Sequence, residues 1–279
     1  MAVYGRRVSL ALGQAGQTGK ALTDLRVSFE VQMSRGTAAH TAKIRLYNAL
    51  PTTLAALDGT DPTVLLQVGY GDPLVRGGGA GIPRTIFLGK VIRNGLKTQR
   101  EATDRITTIE ARDTPGVYEA PPVQLVYSQP VSHADVVRAV AGALGVSVGA
   151  LSLPVEITLT QGGTFSGNPR TILDTIAASA GATWWVSDGV LYMAGEGEAV
   201  AAAAPSFSAT QGNLIGSPEK KDRRGVKIRG LLDATMRPGR LFVVDSPTLS
   251  GTFVATDVRF VGDSWEGPFY VELIGRPRA

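Results

Sequence analysis

Alternation of apolar and polar residues with period two dominates both ends of the chain, and helical periodicity replaces it in the middle. Leu25, Val27, Phe29, Val31 and Met33 hold every odd position of one run, and Ala42, Ile44 and Leu46 alternate with Thr41, Lys43 and Arg45 in the next. Successive side chains of a strand point to opposite faces, so each run predicts a strand with one buried face. The turn-prone Ser34-Arg35-Gly36-Thr37 between them predicts an antiparallel pair. Pro51 followed by Leu54 and Leu57 predicts one short helix that stops at Asp58-Gly59, because proline suits a first helical turn and leucines three apart share a face. Strand patterns resume at 64–70, 85–93 and 104–112, with Gly77-Gly78-Gly79-Ala80-Gly81 as a flexible loop between the first two.

In the middle, Ser132-His133-Ala134-Asp135 reads as a capping box, and Val136, Val137, Val140, Ala141 and Leu144 form the apolar stripe of a helix that Gly145 stops. A second helix starts at the cap Asn168 and Pro169, carries Ile172, Leu173, Ile176 and Ala177 on one face, and ends at Gly181. Thr183-Trp184-Trp185-Val186 and Val190-Leu191-Tyr192-Met193 flank Ser187-Asp188-Gly189 and predict a β-hairpin. The stretch from about 127 to 194 is therefore a small α+β unit. The small residues of 199–204 read as a linker, and strand patterns return at 225–229, 240–245, 251–262 and 268–275. β-rich ends around a helical insert suit either two β-domains or one that is split by an insertion.

Composition narrows the function. The 279 residues are 43% hydrophobic and 19% charged, a globular profile, and no apolar run reaches the length of a transmembrane helix. The first residues carry Arg6 and Arg7 without a long apolar stretch, so no signal peptide is read there, and the chain is expected to stay in the cytoplasm until it is assembled. With no cysteine there is no disulfide or thiolate site, and the two histidines, His40 and His133, stand apart from any ligand-spaced group. No metal and no cofactor are expected. The net charge of +4 permits contact with nucleic acid or acidic partners without naming either.

Candidate chemistry is thin. The 77–81 glycines lack the Gly-Lys-Ser/Thr ending of a phosphate loop. Ser132, His133 and Asp135 share one helical turn and point in different directions, and capping explains two of them. The acid pairs Glu196/Glu198 and Asp263/Glu266 sit in turn-like stretches and read as solvated charges rather than as the pair a glycosidase needs. Glu219-Lys220-Lys221-Asp222-Arg223-Arg224 reads as a mobile loop or polar interface, with Lys220, Lys221, Arg223 and Arg224 placed to meet an acidic neighbour or, less favoured, nucleic acid. Trp184 and Trp185 are adjacent on a strand, so one faces the core and the other faces out, either as an interface anchor or as a partly buried side chain.

Several stretches resemble a known family. Val27-Ser28-Phe29-Glu30-Val31, followed by Ala42-Lys43-Ile44-Arg45-Leu46-Tyr47-Asn48-Ala49-Leu50, resembles the opening of phage tail hub proteins, where a strand ends in a Tyr-Asn-Leu-like turn before a short helix. Gln67-Val68-Gly69-Tyr70-Gly71 and Ile86-Phe87-Leu88-Gly89-Lys90-Val91 resemble that family's next strands. Gly212-Asn213-Leu214-Ile215-Gly216-Ser217-Pro218-Glu219, then Gly225-Val226, Leu231-Leu232-Asp233, Arg237-Pro238-Gly239 and Gly262-Asp263, resemble its carboxy-terminal part. Each motif is weak alone, and their order carries the specificity. The resemblance, to baseplate hub or late-control-D-like proteins, implies a β-dominated α+β fold: two tail-tube-like antiparallel β-barrel or sandwich domains at 1–120 and 200–279, with an α+β insert at 121–199. It further implies a non-enzymatic virion subunit, a homotrimeric ring that joins the tail tube protein to a spike or tip protein. Other baseplate proteins, the tape-measure protein and DNA in passage are its further partners, without membrane insertion. Two rivals remain open at this point, a tail-associated cell-wall hydrolase and a nucleic-acid-binding module.

Overall fold

The structure is a computed structural model that describes residues 5–14, 19–36, 38–57, 59, 61–71, 83–113, 120–201, 204–221 and 225–279. The 77–81 loop, Thr37, Asp58, Asp222, Arg223 and Arg224 lie outside the described residues. Strands in the amino-terminal part are β1 (Gly5–Gln14), β2 (Lys20–Leu22), β3 (Val27–Ser34), β4 (Thr41–Tyr47), β5 (Pro62–Gly71), β6 (Arg84–Glu101) and β7 (Asp104–Arg112), with α1 (Pro51–Leu54) between β4 and β5. The middle holds β8 (Val123–Tyr127), β9 (Val131–Ser132), α2 (His133–Ala143), β10 (Ser147–Leu151), β11 (Thr158–Leu159), β12 (Gly163–Gly167), α3 (Pro169–Ala180), β13 (Ala182–Ser187) and β14 (Val190–Gly195). The carboxy-terminal part contains β15 (Ser206–Ser208), β16 (Glu219–Lys221), β17 (Gly225–Leu231), β18 (Leu241–Asp245), β19 (Ser250–Asp263) and β20 (Phe269–Pro277).

The two alternating ends of the chain meet in a single sheet of order β16-β17-β20-β19-β3-β4-β7-β6-β5-β1-β2, with β18 and β15 branching from β19. The joint is the antiparallel pair β3–β19, in which Asp257 opposes Ser34 and Asp263 opposes Ser28. On either side of it lies a run of four antiparallel strands, β3-β4-β7-β6 from one end of the chain and β19-β20-β17-β16 from the other. The sheet folds over so that its far members touch. The backbone N–H of Leu232 donates to Tyr70 Oη on β5, the Tyr70 ring meets Phe269 edge-on at 5.3 Å, and Arg237 donates to the carbonyl of Thr85 on β6. One apolar cluster fills the space enclosed, drawing Leu10, Phe29, Ile44 and Leu66 from the first half and Phe207, Phe242, Phe260 and Leu273 from the second.

The alternation read from the sequence sets which side chains enter that core. Val27, Phe29, Val31 and Met33 of β3 and Ala42, Ile44 and Leu46 of β4 are all buried, while Glu30, Lys43 and Arg45 lie on the other face. Three glycines in strands leave room for aromatic rings: a Cβ on Gly230, Gly262 or Gly275 would run into Phe207, Phe29 or Phe242, respectively. The ring takes the place of the missing side chain, a device that closes the gap a strand glycine leaves.

The middle of the chain folds on its own core, in which Val136, Val137 and Val140 of α2 meet Ile172, Leu173 and Ile176 of α3 and Trp184, Leu191 and Met193 of the hairpin. Ser132 caps α2 by accepting from Asp135 N at 3.1 Å, Asn168 caps α3 by accepting from Arg170 N at 2.9 Å, and Gly181 ends α3 in the left-handed conformation. The β13–β14 hairpin turns on Asp188 and Gly189, both at positive φ, the geometry of a type I′ turn. Among the described residues no helix is long and apolar enough to cross a membrane.

Candidate assembly interfaces

The face of the sheet opposite the core carries a row of alternating charge. Lys43 of β4 lies 3.9 Å from Glu110 of β7 and opposite Glu30 of β3 in register. Arg259 of β19 bridges Glu30 at 2.9 Å and Glu272 of β20 at 3.1 Å, and Arg229 of β17 pairs with Glu272 at 2.6 Å. Six strands are thus stitched across both halves by side chains on their non-core face. The hydrogen bond from Arg259 holds the Glu30 carboxyl below the usual range against partial burial. Burial pushes Glu272 upward, but the hydrogen bonds from Arg229 and Arg259 outweigh it and the net displacement is also downward.

A carboxyl group that titrates lower in the folded state contributes stability that is present above its unfolded value, about 4.3, and is lost as pH falls through the folded value. Urea unfolding between pH 7 and pH 3 is therefore expected to show a shallower acid decline for Glu272→Gln than for the parent. Parallel declines would remove the row from the account of acid stability.

The insert is fastened to the sheet by two arginines and one tryptophan. The Arg35 guanidinium, in the turn after β3, donates to the carbonyls of Ala194, Gly195 and Glu198 and lies 4.8 Å from the Trp185 ring centroid. Burial lowers its pKa, opposed by Glu198 and Glu196. Arg237 pairs with Asp188 at the hairpin tip at 2.7 Å and also reaches Thr85 O on β6. Trp184 and Trp185 do point to opposite faces of β13, but neither reaches solvent, at 1% and 0% exposed. Trp184 enters the insert core and donates Nε1–H to Asp174 at 2.8 Å, whereas Trp185 stacks on Tyr192 and covers Gly239 of the carboxy-terminal half. The outward anchor expected from strand alternation is corrected: the second face of β13 is covered by the rest of the chain.

The acid candidates have structural work. Asp263 is buried rather than solvated, pairing with Arg26 at 3.1 Å and accepting from the N–H groups of Trp265 and Glu266. Glu198 accepts from Gly195 N, and Glu196 lies 3.7 Å from Arg276. His40, far from His133, is buried beside Asp113, with Nδ1 at 3.0 Å from the carboxylate and Nε2 at 3.2 Å from Ser34 O. These contacts tie the β3–β4 turn to the end of β7. Arg35, Arg237 and the His40–Asp113 pair were illegible in the sequence, because each acts on a partner distant along the chain.

The basic cluster is placed in part. Glu219, Lys220 and Lys221 form β16, an exposed outermost strand paired only to β17, which corrects the reading of these three residues as a mobile loop. Lys220 and Lys221 form no ion pair among the described residues, and their partners, like those of Arg223 and Arg224, belong to the proposal that follows.

These features define a fold class: one folded-over, mainly antiparallel sheet with a helical insert pinned to it. No family model and no curated protein matches the chain. Solved structures do share its fold. A tail protein of Neisseria meningitidis MC58 aligns over 98% of this chain and 97% of its own, with a TM-score of 0.61 at 14% identity. The 43 kDa tail protein of prophage MuSo2 from Shewanella oneidensis aligns over 99% and 98%, with a TM-score of 0.62 at 11% identity. The E. coli c3393 protein is described as a component of the type VI secretion system with structural similarity to the T4 bacteriophage tail proteins gp27 and gp5. It aligns over 96% of this chain and 77% of its own, with a TM-score of 0.58 at 9% identity. The chain thus has the fold of phage tail proteins, as its motif order led one to expect.

Proposed function

We propose that this chain is a structural, non-enzymatic tail hub subunit. Three copies form a pseudo-six-fold ring that joins the tail tube to the spike or tip and leaves a channel for the tape-measure protein and DNA. The observation that carries the reading is the match to tail proteins over nearly the whole chain combined with the β3–β19 joint, which sets strands from one end of the chain against strands from the other in one sheet. In it, 1–120 and 200–279 are the two tube-type modules and 121–199 is the insert. Three such chains present six similar modules, which suits docking on a six-fold tube.

Two stretches of the sheet are open. The outer edge of β16 is free among the described residues, and the 96–101 part of β6 pairs only with β7. Unpaired edges invite further strands, and a closed ring of copies satisfies them without open-ended growth. Lys220, Lys221, Arg223 and Arg224 flank that seam in the proposal. The hydrolase reading loses support because one acid of each pair, Asp263 and Glu198, is held by turn hydrogen bonds, while the other, Glu266 and Glu196, is a solvated surface charge.

Analytical ultracentrifugation is expected to show a trimer at high protein concentration or with the tube protein present. Lys220→Glu combined with Lys221→Glu is expected to shift it toward monomer with unchanged circular dichroism. A parent protein that stays monomeric under both conditions would overturn the ring.

A further inference from the structure

On the outer layer of the sheet, away from the seam just described, a strand edge and an aromatic side chain stand together without a partner. β1 pairs with β5 over its whole length, but on its other side β2 covers only Leu10, Ala11 and Leu12. Among the described residues no strand pairs with the 5–9 stretch on that side. A groove of about 380 Å³ runs along this edge, lined by Arg6, Arg7, Ser9, Thr23, Pro83 and Trp265. Trp265 is the most exposed large apolar residue among those described, at 68%.

The turn that carries Trp265 is held firmly while its indole is left open. Asp263 Oδ1 accepts from Trp265 N and Glu266 N, Ser264 exchanges hydrogen bonds with the backbone of Val27, and Arg6 donates to the carbonyls of Asp263 and Gly267. Arg26 packs beneath, paired with Asp263 and 5.9 Å from the indole centroid. A tryptophan displayed on a turn held this firmly gives a binding surface an aromatic anchor whose ordering cost is already met.

Charge selects the occupant. Arg7 lies along Gly71 beside the groove and forms no ion pair among the described residues. This chain's own open edge at β16 brings two lysines, Lys220 and Lys221, against one carboxylate, Glu219, and so sets a net like charge against Arg7. The geometry points to the 5–9 edge of β1 as a docking site for an extended, carboxylate-bearing strand of a different protein. That strand adds to the sheet by main-chain hydrogen bonds, places a carboxylate on Arg7 and seats an apolar side chain on Trp265. The inference does not rest on the ring, which uses other edges.

The test uses the whole chain and two short end-capped peptides, one alternating valine with glutamate and the other valine with lysine. Hydrogen exchange read by mass spectrometry at residue level is expected to show rapid exchange, in the protein alone, of those 5–9 amides that point away from β5, and their protection with the glutamate peptide, together with a blue shift of tryptophan emission. The lysine peptide is expected to do neither. Trp265→Ala is expected to weaken the glutamate peptide by at least about tenfold, and Arg7→Glu to reverse the preference between the peptides. Equal response to both peptides, response to neither, or protection of the outward-pointing 5–9 amides without any peptide, whether constant or growing with protein concentration, would each overturn the proposal. Sedimentation reports on the ring separately, so failure of one reading is distinguishable from failure of the other.

Discussion

Trp185→Ala is expected to destabilise the protein by about 3–5 kcal/mol, the range for deleting a large aromatic side chain from a packed interior. Trp185 is completely buried between the insert and the sheet, stacked 5.5 Å from Tyr192 with an interplanar angle of 19°. Its removal leaves a void beneath Arg35 and against Gly239, at the place where the two cores of the chain touch. Its Nε1 has no hydrogen-bond partner among the described residues, so the loss is counted as one of packing and stacking. Trp185→Phe keeps an aromatic face for Tyr192 and Arg35 and is expected to avoid a large part of the loss. The readouts are urea unfolding and limited proteolysis, with faster cleavage in the 195–205 connection for the alanine variant. A loss below about 1 kcal/mol, within the ordinary range for point substitutions, would mean that the insert is not fastened through this residue.

Gly275→Val is expected to cost about 2–3 kcal/mol, and the cost is expected to depend on Phe242. Gly275 of β20 sits under the Phe242 ring, which is fully buried, stacks on Phe253 at 5.7 Å and meets Phe207 edge-on at 6.4 Å. A valine there pushes the ring into neighbours that have no free volume. Phe242→Ala alone is expected to cost about 3–5 kcal/mol by leaving a cavity. In the double variant the valine methyls occupy part of the space vacated by the ring, so the two losses fall short of additivity by roughly 1–3 kcal/mol. A double-mutant cycle measured by urea unfolding checks this. Additivity to within about 0.5 kcal/mol would show that the ring does not depend on the glycine beneath it.

Strand positions and helix caps were legible because they follow from local rules. The odd positions of β3 are buried as a period of two requires, Ser132 and Asn168 cap their helices, and the Asp188-Gly189 turn has the backbone that its residues favour. β1 was not read as a strand, although Val8, Leu10 and Leu12 alternate there. Its first residues had been weighed only as a possible leader. The small strands β8 to β12 of the insert carry too few residues each for a period to show. Of the interface candidates, Lys220 and Lys221 are exposed as their charge demands, while the outward tryptophan failed because alternation fixes which face a side chain takes and not what covers that face.

By itself the sequence determined most of the longer strands, the two capped helices and the helical insert between β-rich ends, since these depend on residues near one another along the chain. The tertiary structure decided that the two ends share one sheet through β3 and β19, that Arg35 and Trp185 fasten the insert, and that the 5–9 edge stands open beside Trp265. Each of those rests on residues separated by long stretches of chain, and no local periodicity records which distant strand or carbonyl a side chain will meet.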